Sequence, residues 1–339
     1  MNERNLFKII FLILLVISAC TTKEGTKIDA SQIKLDVSAI HIERLDTQMI
    51  RLNTKDGMQL FLNKHQALKE SFLQAEPGMA DSAIVNRMHQ TLTNPAYRRF
   101  YSQVQQAFGD MKQVTAQLED AFKHIKYFFP DFRVPHVQTV ITGLGYLSRD
   151  AAALSVSDSL ITISLDFYAG EKASFVPAVP NFLLKKYAPQ ALVSSVIGVM
   201  AEKYIAENPT DRSLLNDMIV AGKKLEFTSQ MLPETPDSLL IFYTEKQLKN
   251  AQDHKNIIWA HFVKEKLLYE TNHFTKVKYI GDRPYTAEIG RECPGAIGRW
   301  LGWQIVKKYL SENPKVSLSQ LMQNPDAQAI FTNSKYKGE

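Results

Sequence analysis

The first hydrophobic pattern in the chain is an unbroken apolar run from Ile9 to Ile17, preceded by Arg4 and Lys8 and followed by Ser18, Ala19 and Cys20. A basic end, an apolar stretch and small residues, in that order, make a secretory signal. As a helix the run would rise about 14 Å, well short of the roughly 20 residues that span a bilayer. It therefore predicts a signal over residues 1–19 and not a membrane-spanning anchor. Residues 20–32 are mostly polar and predict a short tether. Over 33–45 the positions Ile33, Leu35, Val37, Ile40 and Ile42 alternate, which predicts a strand or a bent pair of strands. Leu60, Phe61, Leu68 and Phe72 then recur at helix-compatible intervals, and further helices are predicted over 81–92, 95–108 and 111–128.

The pattern changes after Phe128, Phe129, Pro130 and Asp131. Residues 136–141 are rich in β-branched side chains, Gly143 and Gly145 mark a turn, and 153–156 with 160–167 predict a hairpin about Ser157, Asp158 and Ser159. From Asn181 onward the pattern is helical. Val193, Val196, Ile197, Met200 and Tyr204 share one helix face, and Leu214, Met218, Ala221 and Leu225 share the next. Helices over 255–270 and 296–310 follow. Ser317 is placed to cap one C-terminal helix, and Asn324 followed by Pro325 puts proline at the first position of another. With no repeat and no linker, residues 33–339 predict a single α+β domain, predominantly helical with a small β-sheet.

Composition narrows the class. Of the 339 residues, 45% are apolar and 22% charged, enough to bury a sizeable core and unlike a disordered or collagenous chain. The balance of 40 Lys and Arg against 35 Asp and Glu gives +5, and the doublets that begin at Lys185, Lys223 and Lys307 are far apart, so nucleic acid is not an expected partner. Ile17, Ser18, Ala19 and Cys20 have the form of a bacterial lipobox, in which the Cys20 thiol takes the lipid and becomes the new N-terminus. Cleavage would leave 320 residues, and the loss of Arg4, Lys8 and Glu3 would take the charge from +5 to +4. Cys293 would then be the only thiol, so stability must come from packing and not from an internal disulfide. Acyl chains on Cys20, palmitate among them, would supply a firm membrane anchor.

Local signatures of chemistry are sparse. The eight histidines form no HExxH, and CxxC, GxGxxG, GxxxxGK[ST] and GxSxG do not occur. No metal and no cofactor is expected. The best acid–base candidates are His261 and Glu265, one helical turn apart beside Ile258 and Phe262, where a carboxylate could raise the histidine pKa and fix its tautomer. A self-satisfied buried polar pair is the plainer reading and the preferred one. Cys293 lies in a run, 291–303, that also holds Arg291 and Arg299, which suggests an activated thiolate. Pro294 and Gly295 look more like a helix start, with Gly298 and Gly302 allowing close helix packing beside Trp300 and Trp303. Tyr127, Phe128 and Phe129 read as core and not as a ligand stack.

Ser213-Leu214-Leu215-Asn216-Asp217-Met218-Ile219 with Gly222 and Lys223, residues 248–259, Cys293-Pro294-Gly295-Ala296-Ile297-Gly298-Arg299-Trp300-Leu301-Gly302-Trp303-Gln304-Ile305-Val306, and the ending Ser334-Lys335-Tyr336 form a set of distinctive segments. Together they resemble the GldB family of gliding-motility-associated lipoproteins from Bacteroidota. Ile163-Ser164-Leu165-Asp166-Phe167-Tyr168 and the lipobox fit the same pattern. Departures fall at Ala221, where Glu is expected, near Glu226, where Tyr is, and at Cys293, where Ser is. The family is in turn similar to the gluzincin metallopeptidases. That likeness implies a gluzincin-like fold in which Ser194, Ser195 and Gly198 occupy the spacing of HExxH and Ala221 the place of the third ligand. Such residues cannot hold zinc, so the resemblance implies a pseudoenzyme. The expected function is that of a non-catalytic envelope lipoprotein tied to gliding motility or related secretion machinery. It would be anchored in the outer membrane through Cys20, face the periplasm and contact other envelope proteins. The alternatives are a diverged periplasmic hydrolase, with ligands scattered through His254, His261 and Glu265, and a periplasmic glycan- or lipid-binding module.

Overall fold

The computed structural model describes residues 40–339 apart from Ala75 and Pro77, with Ile33 ahead of them. The signal segment, Cys20, the tether and most of 33–39 lie outside the described residues. What the first alternating pattern leaves within them is β1 (Ile42–Arg44). Leu45, expected in that strand, instead opens α1 (Leu45–Met49), which turns Leu45, Asp46 and Met49 inward.

Thr54 caps α2 (Lys55–Lys64) by accepting from the Gly57 amide. Phe61, Leu68 and Phe72 are buried as the spacing predicts, but Leu60 is 69% exposed. Adjacent helical residues stand about 100° apart, so Leu60 and Phe61 cannot both face the core. Next come α3 (Asp81–Leu92), α4 (Pro95–Phe108) and α5 (Lys112–Phe128), at or within one residue of their expected bounds. Asn94 caps α4 through the Ala96 and Tyr97 amides, with Pro95 at the first helical position.

The sheet adds β2 (His136–Val140), β3 (Leu154–Val156) and β4 (Leu160–Ser164) in the order β1-β2-β4-β3. β2 runs parallel to both neighbours, with Val137 opposite Ile42 and Ile161. β3 and β4 form the expected antiparallel hairpin, closed by the Ser157 amide on the Leu160 carbonyl at 2.9 Å. Val137 to Val140 are all buried, as a central strand covered on both faces requires. β4 stops at Ser164, three residues before its expected end, and the chain continues as the 3-10 turn Leu165–Tyr168.

The C-terminal part is built on α6 (Leu192–Glu202), α7 (Leu214–Met231), α8 (Glu245–Asp253), α9 (Lys255–Lys264), α10 (His273–Ile280), α11 (Ile297–Glu312), α12 (Leu318–Gln323) and α13 (Ala327–Ser334). α7 and α11 cross very closely. A Cβ on Gly302 would lie 1.8 Å from the Met218 carbonyl oxygen, and one on Gly222 would lie 2.5 Å from the Gly302 backbone, so both positions exclude any side chain. The expected packing role of Gly302 is thus met. Buried Trp300 and Trp303 fill the space beside the crossing.

Three expectations are corrected here. α7 buries Leu214, Leu215, Met218, Ile219, Gly222, Glu226 and Phe227, whereas Ala221 and Leu225 are only half-buried, because the helix is packed on more than one side. The helix expected over 255–270 breaks after Lys264, where Lys266 takes a left-handed φ of 55° and the chain enters a 3-10 turn. Pro325 does not open the last helix: Asp326 caps it, accepting from the Ala329 amide at 2.8 Å. Ser317 does cap α12, in a reciprocal capping box with Gln320. One contiguous buried apolar cluster runs from Ile40 to Tyr336, and no helix among the described residues is long and apolar enough to cross a membrane.

Candidate functional site

The residues singled out in the sequence do not converge. His261 Nε2 pairs with the Tyr279 hydroxyl at 2.9 Å, while Glu265 is exposed and lies 3.7 Å from Lys264. Burial lowers the His261 pKa, against the smaller raising effects of Glu265 and Glu288. The self-contained His–Glu pair is therefore replaced by a His–Tyr pair joining α9 to α10. His254 Nδ1 lies 2.9 Å from the Asn250 carbonyl.

Cys293 is buried, and burial raises its thiol pKa to about 12, against the lowering effect of a hydrogen bond with Thr286. That is the reverse of an activated thiolate. Phe129, Tyr204 and Phe227 form a ring stack with centroids 4.2 and 5.3 Å apart, a packing role for Phe129. Ser194 is buried, and Ser195 donates to the Ala191 carbonyl at 2.9 Å. Gly198 faces Lys224 and Thr228 of α7, about a turn beyond half-buried Ala221. Among the described residues no three His, Cys, Asp or Glu side chains are grouped to hold a metal ion.

Among the described residues Asp46 and Asp166 carry the most deeply buried carboxylates, and nothing in the local pattern marked them. Asp46 receives both the Nε and Nη2 of Arg44 at 2.8 Å, with the Tyr101 and Thr139 hydroxyls at 2.5 Å. Asp166 accepts from the Tyr97 and Ser164 hydroxyls and the Leu144 amide at 2.8 Å, and from the Thr142 amide at 3.1 Å. The Asp166 bonds tie the 3-10 turn after β4 to the loop after β2, whose Gly143, Leu144 and Gly145 all have positive φ. Burial, and next the charge of Asp166, push the Tyr97 hydroxyl pKa well up. Every oxygen is occupied, so these sites organise the fold and leave no position for a ligand.

A different electrostatic situation occurs between the 3-10 segment Asn181–Tyr187 and the start of α11. Lys185, Lys186, Arg283 and Arg299 line a small cleft of about 40 Å³ together with Asp282, Phe242 and Tyr243. Asp282 bridges two of the cations, 2.7 Å from Lys186 Nζ and 3.1 Å from Arg299 Nη1. Lys185 donates to the neutral Gln247 amide oxygen at 2.7 Å and lies 5.6 Å from the Tyr243 ring centre. Arg283 is turned toward Glu288, at 2.9 Å. Burial lowers the pKa of both lysines, helped at Lys185 by the charge of Lys186 and opposed at Lys186 by Asp282. For Asp282 burial acts upward, but the hydrogen bond from Lys186 and the charges of Arg299 and Lys186 hold it below the usual carboxylate range.

The walls of this cleft are tied to one another by hydrogen bonds and close backbone contact. The Tyr243 hydroxyl donates to the Gly295 carbonyl at 2.8 Å, and a Cβ on Gly295 would lie 1.8 Å from the Arg283 carbonyl oxygen. Phe242 and Ala296 both hold left-handed φ, near 55°, which non-glycine residues seldom adopt. Thr286 closes the 282–296 loop through the Pro294 carbonyl at 2.7 Å. A larger groove of about 460 Å³ adjoins the cleft, sharing Lys185, Phe242 and Tyr243 and adding Ala169, Leu184, Pro189 and Leu239.

A family model described as gliding motility protein GldB matches residues 23–338, nearly the whole chain. The chain belongs to the GldB family. Membership implies a gliding-motility-associated lipoprotein. No match is found among the curated proteins or the solved structures. The segments that carried the resemblance to GldB proteins can now be placed. The run Cys293 to Val306 contributes Arg299 to the basic cleft and Gly302 to the α7–α11 crossing, and the strand-like segment Ile163 to Tyr168 contributes Asp166 to its buried node. Lys185 and Lys186 were visible in the sequence only as a doublet. Their partners Asp282 and Arg299 are distant in the chain, so no local motif could have announced the cleft.

Proposed function

We propose that this GldB-family protein is a non-catalytic lipoprotein of the cell envelope, held at the outer membrane by lipid on Cys20 and facing the periplasm. There it serves the gliding or related secretion machinery of a Bacteroidota cell through contacts with other envelope proteins. The family match over residues 23–338 is the observation that carries this reading. The lipobox ending at Cys20 supports the anchor, because multiple acyl chains at about 0.8 kcal/mol per buried CH₂ hold a protein firmly at a bilayer. The continuous apolar cluster from Ile40 to Tyr336 supports one folded unit over residues 33–339. The packing of α6 against α7 at Gly198 suits a gluzincin-like ancestry in which small residues stand where ligands would be.

Radiolabelled palmitate and membrane fractionation test the proposal. The wild-type chain should take the label and sediment with outer membranes. The Cys20→Ser variant should lose both label and sedimentation. Zinc in stoichiometric amount together with peptide hydrolysis by the purified protein would refute the non-catalytic role.

A further inference from the structure

The cleft beside α11 is charged in a way the protein's own side chains do not balance. With Arg283 paired to Glu288, three cations remain, Lys185, Lys186 and Arg299, against the single carboxylate of Asp282, an excess of two positive charges. Half-buried cations lose hydration, and that cost is recovered only when an anion or strong acceptors replace the water. Asp282 does so for two of them, whereas Lys185 has a neutral amide and an aromatic face. The start of α11 also borders the cleft at Ala296, which offers no side-chain cap. The amides of that first turn thus add to the positive field of the three side chains.

We propose that this cleft binds a phosphate monoester group. A phosphate monoester carries about −1.5 to −2 charge near neutral pH, which matches the excess charge, and its oxygens suit the planar donor fork of Arg299 and the two ammonium groups. The rest of the ligand lies in the adjoining groove along Leu184, Pro189, Leu239 and Phe242. The phosphate comes either from a lipid headgroup or from a water-soluble phosphate compound. This assignment uses only the cleft and holds whether or not the protein serves motility.

Calorimetric titration of the full chain in nonionic detergent tests it, with inorganic phosphate, glycerol 3-phosphate and dihexanoyl phosphatidic acid as probes. At least one probe should bind saturably at a single site. The K185Q variant should bind it about tenfold more weakly, the loss expected for one charge-assisted hydrogen bond. K185Q removes no ion pair, so it should melt like the wild type. Tighter binding of the phosphatidic acid than of glycerol 3-phosphate supports a lipid source, and equal binding supports a soluble one. Absence of saturable binding by all three probes would overturn the proposal. So would an equal loss in K112Q, which alters a lysine on the remote surface of α5.

Discussion

The buried carboxylates of the N-terminal half and the basic cleft of the C-terminal half treat charge in opposite ways. Asp46 and Asp166 are almost wholly out of contact with water, yet each has a complete set of donors. Lys185, Lys186 and Arg299 remain reachable from solvent, and the one carboxylate among them pairs with Lys186 and Arg299 only. A closed set of partners marks a group that holds the chain in place. A set left with an excess of positive charge in an open cleft suits an anion from outside. Burial alone does not distinguish the two; the count of partners does.

The largest effect should come from opening a closed set. Asp166→Ala would leave the Tyr97 and Ser164 hydroxyls and the Thr142 and Leu144 amides buried without their acceptor. Urea unfolding should show a loss of about 3–5 kcal/mol, the usual cost of breaking a buried charged network. Asp46→Ala should cost a similar amount. A loss below about 1 kcal/mol at either site would erase the distinction between the two regions.

Lys223 sits between the two cases, a buried cation whose ammonium donates to the Asn324 carbonyl at 2.5 Å. Burial lowers its pKa to about 8, against a weaker opposing effect of Glu207. An unfolded lysine keeps its ordinary value near 10.4, so between about pH 8 and pH 10 the unfolded chain binds more protons than the folded one. Stability should therefore rise with pH across that window, since protonation favours the unfolded state. The rise should be smaller in Lys223→Met, as thermal melts from pH 7.5 to pH 10 would show. Above that range the buried tyrosines act the other way: their pKa values are raised on folding, so the stability they supply is lost once the pH exceeds them.

Smaller again is the effect on Cys293. With its pKa near 12, the thiol should react with maleimide in the folded chain at pH 7.5 at least tenfold more slowly than in guanidinium, and comparable rates would show that the α11 start is open. The smallest effect belongs to the basic cleft. Lys185→Gln should change unfolding free energy by no more than about 0.5 kcal/mol, as for a substitution outside any closed network.

The parts of this fold legible from sequence are those decided by repeating local pattern. The helices over 81–92 and 95–108 stand where their apolar spacing and the Asn94–Pro95 start place them. The β3–β4 hairpin forms around its Ser-Asp-Ser turn. Expectations fail where one tertiary contact overrides the pattern. Leu60 points outward because Phe61 takes the core position, and the 255–270 helix breaks at left-handed Lys266. The same limit governs the site. Gly302 was legible as a close-packing residue because small residues four apart have a local meaning. Asp46, Asp166 and the cleft were not, because their partners come from residues scattered along the chain and brought together only by the fold.

Thermal unfolding with and without ligand tests the central contrast most directly. A ligand that binds only the folded state raises its stability by RT ln(1 + [L]/Kd). The tightest-binding of the three phosphate probes, at saturating concentration, should raise the Tm of the wild-type chain and of K112Q by the same amount, and that of K185Q by clearly less, since a tenfold weaker Kd removes about 1.4 kcal/mol of the stabilisation. An equal rise in all three, or none in the wild type, would contradict the account.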